Sequence, residues 1–278
     1  MPEKRVVDKF KIKDGFDADE YLKKKIDEAR QMLLTSLDEA YSIQNRVFRN
    51  ICMFSLVDCL AQEYKNYPSH NSTDAFCDFV LEFQNICDYL DAIEPVTLFY
   101  DYEPNIKTIV RYPELQEIEP SLCRPELEIS IENIRIDDET KVEEIIGKSF
   151  SSELLNIIKR DKGERIAEQY KKRHTMIRLL YKMRSKAVHE LSHIGGENKW
   201  EIQDDIDKPF YRDLSRLYKH EENIVSDNII ELVIPSKFIY KLSKNVIDNY
   251  LKDCSKNKRL PFENNRTGKR DVVFTWND

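Results

Sequence analysis

Glycine is scarce in this chain. Only six of its 278 residues are glycine, and they do not form a glycine-rich run. Phosphate loops of nucleoside-triphosphate enzymes need closely spaced glycines, because the backbone N–H groups must approach the phosphates closely. The sequence therefore argues against P-loop chemistry. It also shows no repeats or low-complexity tracts.

Long apolar runs are missing as well. A membrane-spanning helix needs about 18 to 20 apolar residues in succession, and the first residues, MPEKRVVDKFKIKDG, are charged. The six cysteines form no C-x-x-C pair, and those at 52, 59, 77 and 87 lie in helix-like apolar patterns. We expect a reduced cytoplasmic protein that makes no membrane contact and has no cysteine-based zinc site.

The composition, 41% hydrophobic and 34% charged, is enough for one sizeable core. Helical periodicity predicts helices over residues 18–39, 36–64, 75–90, 141–159 and 237–254. We expect a short helix over 210–222, followed by a strand or helix fragment over 228–234. The chain is thus predicted to be mainly α, a helical bundle in one domain over 1–278.

Residues 95–140 break this pattern. Five prolines between 95 and 125 exclude a long helix. Residues 127–136, LEISIENIRI, alternate apolar and polar side chains, as a half-buried strand does. Residues 97–100 and 107–110 are predicted to pair with it. We therefore expect a small proline-rich β insertion at about 95–140.

The pattern over 164–194 predicts the longest helix, which ends at Gly195 and Gly196. Arg184 falls on its apolar stripe, where a core helix normally carries Leu or Ile. A buried guanidinium is costly unless something pairs with it. The partner is either a bound phosphate or a buried carboxylate such as Asp58, which lies beside the apolar stripe of the 36–64 helix.

The same helix is strongly basic. It has seven Lys or Arg residues between 171 and 186 and no acid between 168 and 190, although the whole chain has a formal charge of −7. Such a local positive potential favours phosphate contact, and the alternative is a solvated basic face. The candidate RNA-binding residues are Lys171, Lys172, Arg178, Lys182 and Lys186.

Arg184 and His189 form an R-x4-H motif within the segment IRLLYKMRSKAVH, residues 177–189. This segment resembles the active-site helix of HEPN-domain proteins, in which a polar residue, here Ser185, follows the arginine and an aromatic residue, here Tyr181, often precedes it. The two long predicted helices, over 36–64 and 164–194, resemble the helical-bundle setting of that family. The resemblance implies a metal-independent endoribonuclease without a cofactor. It further implies a homodimer in which both copies of Arg184 and His189 meet in one cleft, with Ser185 and Tyr181 in support.

The side chains suit that chemistry. An imidazole can take the proton of a ribose 2′-hydroxyl, and a guanidinium can stabilise the charge on the phosphate. On a regular helix, Arg184 and His189 point about 140° apart, so the site requires a distorted helix or a two-fold dimer interface. The family link suggests a toxin or antiphage role with an antitoxin or regulatory partner, and the family also includes members without nuclease activity.

His189, Glu190 and His193 form an overlapping H-E-x-x-H motif. Histidines four apart on a helix can bind zinc, and the glutamate can activate a zinc-bound water, so a zinc metallopeptidase is an alternative. Where a metzincin has its third histidine, this chain has Lys199. Nearby cations, among them Lys182, disfavour a dication. Other candidate third ligands are Asp213, Glu221 and Glu222.

A third interpretation is a non-catalytic helical interaction or RNA-binding module. In that case Arg184 pairs with Asp58 and holds the bundle together, while His189 lies on the surface. His174 and His220 are predicted to be ordinary surface or capping residues, and His70 lies in a predicted turn.

Overall fold

The computed structural model of the chain describes residues 17–64, 72–102, 141–146, 149–190, 206–213, 216–220, 223–227 and 230–262. This part of the chain is mainly helical, with a small antiparallel β part, as the sequence predicts. The helices are α1 Ala18–Ser42, α2 Arg46–Tyr64, α3 Ser72–Phe83, α4 Pro95–Tyr102, α5 Val142–Ile145, α6 Ser149–Lys162, α7 Glu164–Arg173, α8 Met176–Glu190 and α9 Ser236–Lys256. None of these helices is long and apolar enough to cross a bilayer.

Helices α1, α2, α3 and α9 pack around the main core, and α8 packs against α2 and α3. Among the fully buried core side chains are Leu37, Met53, Leu60 and Ile247. Each large apolar side chain buried in this way contributes about 1.5–3 kcal/mol through removal from water. The core therefore fixes the inner face of α8, which carries Arg184.

A smaller cluster joins α4, α6 and α7. It is formed by Leu98, Leu154 and Ile158, each no more than 1% exposed. At its edge, the Lys162 ammonium lies 4.6 Å from the centre of the Tyr102 ring, which is cation–π geometry. This cluster positions α7 at the start of the basic segment.

The strands are β1 Phe210–Asp213, β2 Arg216–His220, β3 Asn223–Asp227 and β4 Ile230–Val233. β1 pairs with β4, and β2 pairs with β3 between them, both antiparallel. The pairs Phe210–Val233 and Arg216–Asp227 belong to two separate two-stranded sheets that share one pairing register. The predicted helix over 210–222 is therefore wrong, and the strand alternative over 228–234 is confirmed by β4.

Several predicted helix boundaries differ from the structure. The predicted 36–64 helix begins only at Arg46, because Asn45 caps α2: its Oδ1 accepts bonds from the backbone N–H of Val47 at 3.0 Å and of Phe48 at 3.2 Å. The predicted 75–90 helix ends at Phe83, where Gln84 Oε1 accepts the N–H of Cys87 at 3.0 Å. Residues 141–159 divide into α5 and α6. The 18–39 and 237–254 helices are confirmed by α1 and α9.

The predicted single helix over 164–194 is also divided. α7 ends at Arg173 and α8 begins at Met176. At the break, Thr175 forms an antiparallel bridge with Ile93, and the N–H groups of Met176 and Ile177 donate to the carbonyls of Ala92 and Leu90 at 3.0 and 2.8 Å. Backbone hydrogen bonds between residues 174–177 and residues 90–94 thus take the place of the hydrogen bonds that a continuous helix would make here.

Residues 97–100 form part of α4 and are not the predicted strand. Glu94 is fully buried and its carboxylate accepts the N–H of Val96 at 2.9 Å and of Thr97 at 2.7 Å. Pro95 occupies the first helical position, which its fixed φ suits. This cap starts a short helix of eight residues, where a strand over 97–100 was predicted. The predicted strands over 107–110 and 127–136 lie outside the described residues.

Candidate functional site

The guanidinium of Arg184 is paired inside the bundle. Its Nη2 lies 2.6 Å from Oδ2 of Asp58 on α2, and the two side chains are only 19% and 12% exposed. Gln62 donates a longer bond, 3.5 Å, to the other carboxylate oxygen. Of the two partners expected for Arg184, a phosphate or a buried carboxylate, the structure shows the carboxylate.

The ion pair occupies a costly environment. Burial raises the pKa of the Asp58 carboxyl above its ordinary value, although the charge of Arg184 and the bond from Gln62 act to lower it. The desolvation cost thus exceeds the attraction, as it often does for buried ion pairs. Removal of either partner alone would leave the other charge buried and uncompensated.

Part of the guanidinium is left without a partner. Arg184 Nε is buried and makes no hydrogen bond to any described residue. The guanidinium carbon lies 5.6 Å from the centre of the Tyr181 ring, a cation–π contact. Since arginine carries five N–H donors, Asp58 does not exhaust its capacity to bind oxygen.

The second half of the motif lies at the end of α8. The helix includes the backbone of Lys186, His189 and Glu190, and Ser185 is its last residue with a described side chain. His193 and Lys199 lie outside the described residues, as do Glu221 and Glu222. Within the described part, no three His, Cys, Asp or Glu residues gather in a way that could hold a metal ion.

An open cleft of about 440 Å³ lies beside α8. Its walls come from the first turn of α3, the end of α4 and the break between α7 and α8 at residues 173–176, which we call the elbow. The lining residues are Thr73, Asp101, Arg173, His174, Arg178, Tyr181, Lys182 and Ser185. Arg184 is not among them, so the basic segment presents two faces with different surroundings.

The acids at the cleft are already paired. Asp74, in the first turn of α3, forms an ion pair with Arg178 and lies 3.7 Å from the Lys172 ammonium. Arg173 and Lys182 are exposed and have no ion pair among the described residues. The cleft therefore has an excess of positive charge.

His174 joins the elbow to α4. It is the C-cap of α7 and only 2% exposed. Its Nδ1 lies 2.8 Å from the carbonyl oxygen of Tyr170, and its Nε2 lies 3.1 Å from Oδ2 of Asp101. His174 acts here as a capping residue, one of the two roles that the sequence predicts, and it holds Asp101 at the edge of the cleft.

A second cavity, of about 480 Å³, lies on another side of the molecule, between α5 and α9. Charges along its wall pair with one another: Lys208 with Glu143 at 2.8 Å, and Lys241 with Asp207. It contains none of the predicted site residues, and its paired charges leave less potential for an ionic ligand. We therefore take the cleft at α8 as the candidate site.

The structure brings some predicted residues together and separates others. Tyr181, Ser185, Arg178 and Lys182 line the cleft. Lys171 and Lys172 lie exposed on α7, outside the lining of the cleft, and Lys186 has no described side chain. Sequence reasoning missed four lining residues, Thr73, Asp101, Arg173 and His174, which come from distant segments or from an unexpected break in the helix.

No family model, curated protein or solved structure matches this chain. Only the residues and their geometry therefore indicate a function.

Proposed function

We propose that this protein is a metal-independent endoribonuclease of the HEPN type that acts as a homodimer through Arg184 and His189. The main support is that Arg178, Lys182 and Ser185, on the helix that bears the motif, line one cleft with an excess of positive charge. Phosphate binding depends on such local positive potential even when the whole protein is acidic.

In this proposal Asp58 is a positioning residue. It holds one end of the Arg184 guanidinium at 2.6 Å, so that the remaining N–H donors meet a phosphate in a fixed orientation. A guanidinium fixed before the substrate binds costs less to order in the transition state. The Arg184 side chain keeps 19% of its surface exposed, which leaves part of it accessible for such a contact.

His189 belongs to the face of the cleft by helical spacing. Position 189 follows Ser185 by four residues and Lys182 by seven, and residues at these spacings share one side of a helix. Arg184 faces α2 instead. A two-fold dimer supplies a second arginine and a second histidine, which allows one arginine and one histidine to meet across the interface.

The reaction needs no metal. One histidine takes the proton of a ribose 2′-hydroxyl as its oxygen bonds to phosphorus, and the other gives a proton to the leaving 5′-oxygen as the P–O5′ bond breaks. Arginine stabilises the charge on the non-bridging oxygens. The products are a 2′,3′-cyclic phosphate and a 5′-hydroxyl, and DNA is not cut.

This activity suits a cytoplasmic toxin or antiphage effector held in check by a regulatory partner. The five cysteines within the described residues are all free thiols, and three of them, Cys77, Cys87 and Cys254, are buried. Free buried thiols are consistent with a reducing compartment.

The test is cleavage of a labelled RNA by the full chain in EDTA. The wild type should produce cyclic-phosphate ends, and His189→Gln should abolish them, whereas the matched control His220→Gln should not. Cleavage that requires a divalent metal, or that persists in His189→Gln, would overturn the proposal. Loss of activity in Glu190→Gln together with bound zinc would favour a peptidase instead.

A non-catalytic RNA-binding module is the second candidate, favoured by the Arg184–Asp58 pair, which neutralises the guanidinium without any phosphate. The double variant Arg184→Met/Asp58→Leu separates the two functions. It removes both buried charges together and so keeps the bundle folded. The nuclease loses all cleavage in this variant, whereas the binding module retains its RNA affinity and never cuts.

A further inference from the structure

The cleft beside α8 has the charge and size to hold a small anion-bearing ligand. Its volume, about 440 Å³, falls within the range of roughly 300–1,000 Å³ typical of small-molecule sites. Neither Arg184 nor the R-x4-H pairing is needed to form it. Binding in this cleft can therefore be measured separately from cleavage.

The charges of the cleft define the ligand. Asp101 Oδ2 lies 3.1 Å from His174 Nε2, and Asp74 pairs with Arg178, so both acids already have a partner within the protein. Arg173 and Lys182 then remain as two cations without an ion pair in the described part of the chain. A ligand that carries two negative charges on one group would balance them.

Hydroxyl and backbone donors add to these cations. Ser185 is half-buried in the wall, opposite Thr73 in the first turn of α3. α3 has 12 residues, and the first N–H groups of a helix have no intrahelical partner and carry a partial positive charge. The hydroxyl-bearing residues Thr73 and Ser185 thus line the same space as the two cations.

We propose that this cleft binds a phosphomonoester, through Arg173, Lys182, Ser185 and the first turn of α3. A phosphomonoester carries nearly two charges near pH 7 and three acceptor oxygens, whereas a phosphodiester carries one charge. The source is either the 5′-phosphorylated end of an RNA chain or a free nucleotide. The inference deepens the proposed function when the ligand is an RNA end, and it does not depend on that function when the ligand is a free nucleotide.

Ordered side chains position the cleft. Tyr181 donates a 2.7 Å hydrogen bond to Ser72 Oγ, and this bond ties α8 to the start of α3. Arg178 makes a second link, to Asp74 in the same turn. The two walls are therefore fixed relative to each other before a ligand arrives, which lowers the ordering cost of binding.

The test is calorimetric titration of the full chain at low salt with four probes: AMP, adenosine, the dinucleotide ApA and its 5′-phosphorylated form pApA. AMP should bind at least about tenfold more tightly than adenosine, and pApA at least about tenfold more tightly than ApA, because the terminal phosphate forms charge-assisted bonds. Equal binding within either pair overturns the inference.

The variant Arg173→Gln/Lys182→Gln should lose this discrimination. The matched control Lys252→Gln/Lys256→Gln removes the same charge from exposed positions on α9 and should retain it. An equal loss in both variants means general electrostatic attraction and overturns the inference. If pApA binds more tightly than AMP, the natural ligand is an RNA end; equal affinities identify a free nucleotide.

His189→Gln distinguishes this inference from the nuclease proposal. It should abolish cleavage and leave the preference of the cleft for AMP over adenosine unchanged, since the groups proposed to hold the phosphate are Arg173, Lys182, Ser185 and the first turn of α3. If AMP fails to bind while RNA is still cut, the phosphomonoester site is wrong and the nuclease stands. If AMP binds and RNA is never cut, the nuclease is wrong and the site stands.

Discussion

Two arginines on α8, Arg178 and Arg184, each form an ion pair with an aspartate, yet their surroundings differ. Arg178 pairs with Asp74 at the open cleft, and Arg184 pairs with Asp58 in the seam between α8 and α2. The Asp74 side chain is 24% exposed and that of Asp58 is 12% exposed. The same chemical pair thus lies beside an open cleft on one side of a helix and within the packing between two helices on the other.

The difference has an energetic meaning. Water and salt screen a charge pair at an open surface, so its net contribution is about 0–1 kcal/mol. A pair held between two packed helices contributes little as a pair, but loss of one partner costs about 3–5 kcal/mol when the remaining charge is mostly buried. The two sides of α8 should therefore respond very differently to the same substitution.

The largest effect is expected for Arg184→Met. It should lower the free energy of unfolding by about 3 kcal/mol, at the low end for a broken buried pair because both side chains keep some exposure. Arg184→Met/Asp58→Leu should recover most of this loss, since no charge is left buried. Urea unfolding measures both. A double variant no more stable than the single one would contradict the interpretation.

The Arg184→Met deficit should also depend on pH. Burial already raises the pKa of Asp58 above 3.8, and Arg184 opposes that rise. In the variant the folded pKa rises further, so the folded state holds a proton that the unfolded state releases, and stability falls as pH increases. The difference from wild type should thus be smaller at pH 5 than at pH 7. A constant difference would exclude Asp58 as the cause.

Tyr181→Phe should have an intermediate effect. The hydroxyl donates to Ser72 Oγ at 2.7 Å, while the ring packs 5.3 Å from the centre of the Phe76 ring. Loss of the hydroxyl removes one hydrogen bond and keeps the packing, so the free energy of unfolding should fall by about 1 kcal/mol. If Tyr181→Phe lowers the free energy of unfolding equally in the wild type and in a Ser72→Ala background, the hydrogen bond to Ser72 is not the cause of the loss.

The smallest effect is expected for Arg178→Met. Its partner Asp74 stays accessible to water and to Lys172 at 3.7 Å, so the free energy of unfolding should change by about 0.5 kcal/mol. The change should shrink further in high salt, because exposed charges are screened. A loss as large as that for Arg184→Met would remove the distinction between the two sides of α8.

The sequence predicts the parts of this fold that depend on local pattern. The apolar stripes of α1 and α9 repeat at helical spacing, and both helices are found where expected. The Arg184–Asp58 ion pair is also predictable from local pattern. Each of the two charges lies at the apolar stripe of its helix, where few other partners are within reach. Asp58 was one of the two partners expected for Arg184.

Other features depend on contacts between distant segments. No glycine or proline marks the break at Thr175, which arises from its bridge to Ile93. The cleft depends on this break in the helix, because the break brings His174 next to Asp101. The predicted helix over 210–222 is wrong because the strands of this segment are defined by their pairing with later residues. A short apolar pattern does not distinguish such a strand from a turn of helix.

The elbow between α7 and α8 also affects how the amides of α8 meet solvent. First-turn amides of a helix usually exchange with deuterium quickly, since they have no partner. Those of Met176 and Ile177 instead donate to the carbonyls of Ala92 and Leu90, which belong to a segment more than eighty positions earlier. Their isotope exchange should therefore report separation of the two segments, and α8 should begin with slow amides where most helices begin with fast ones.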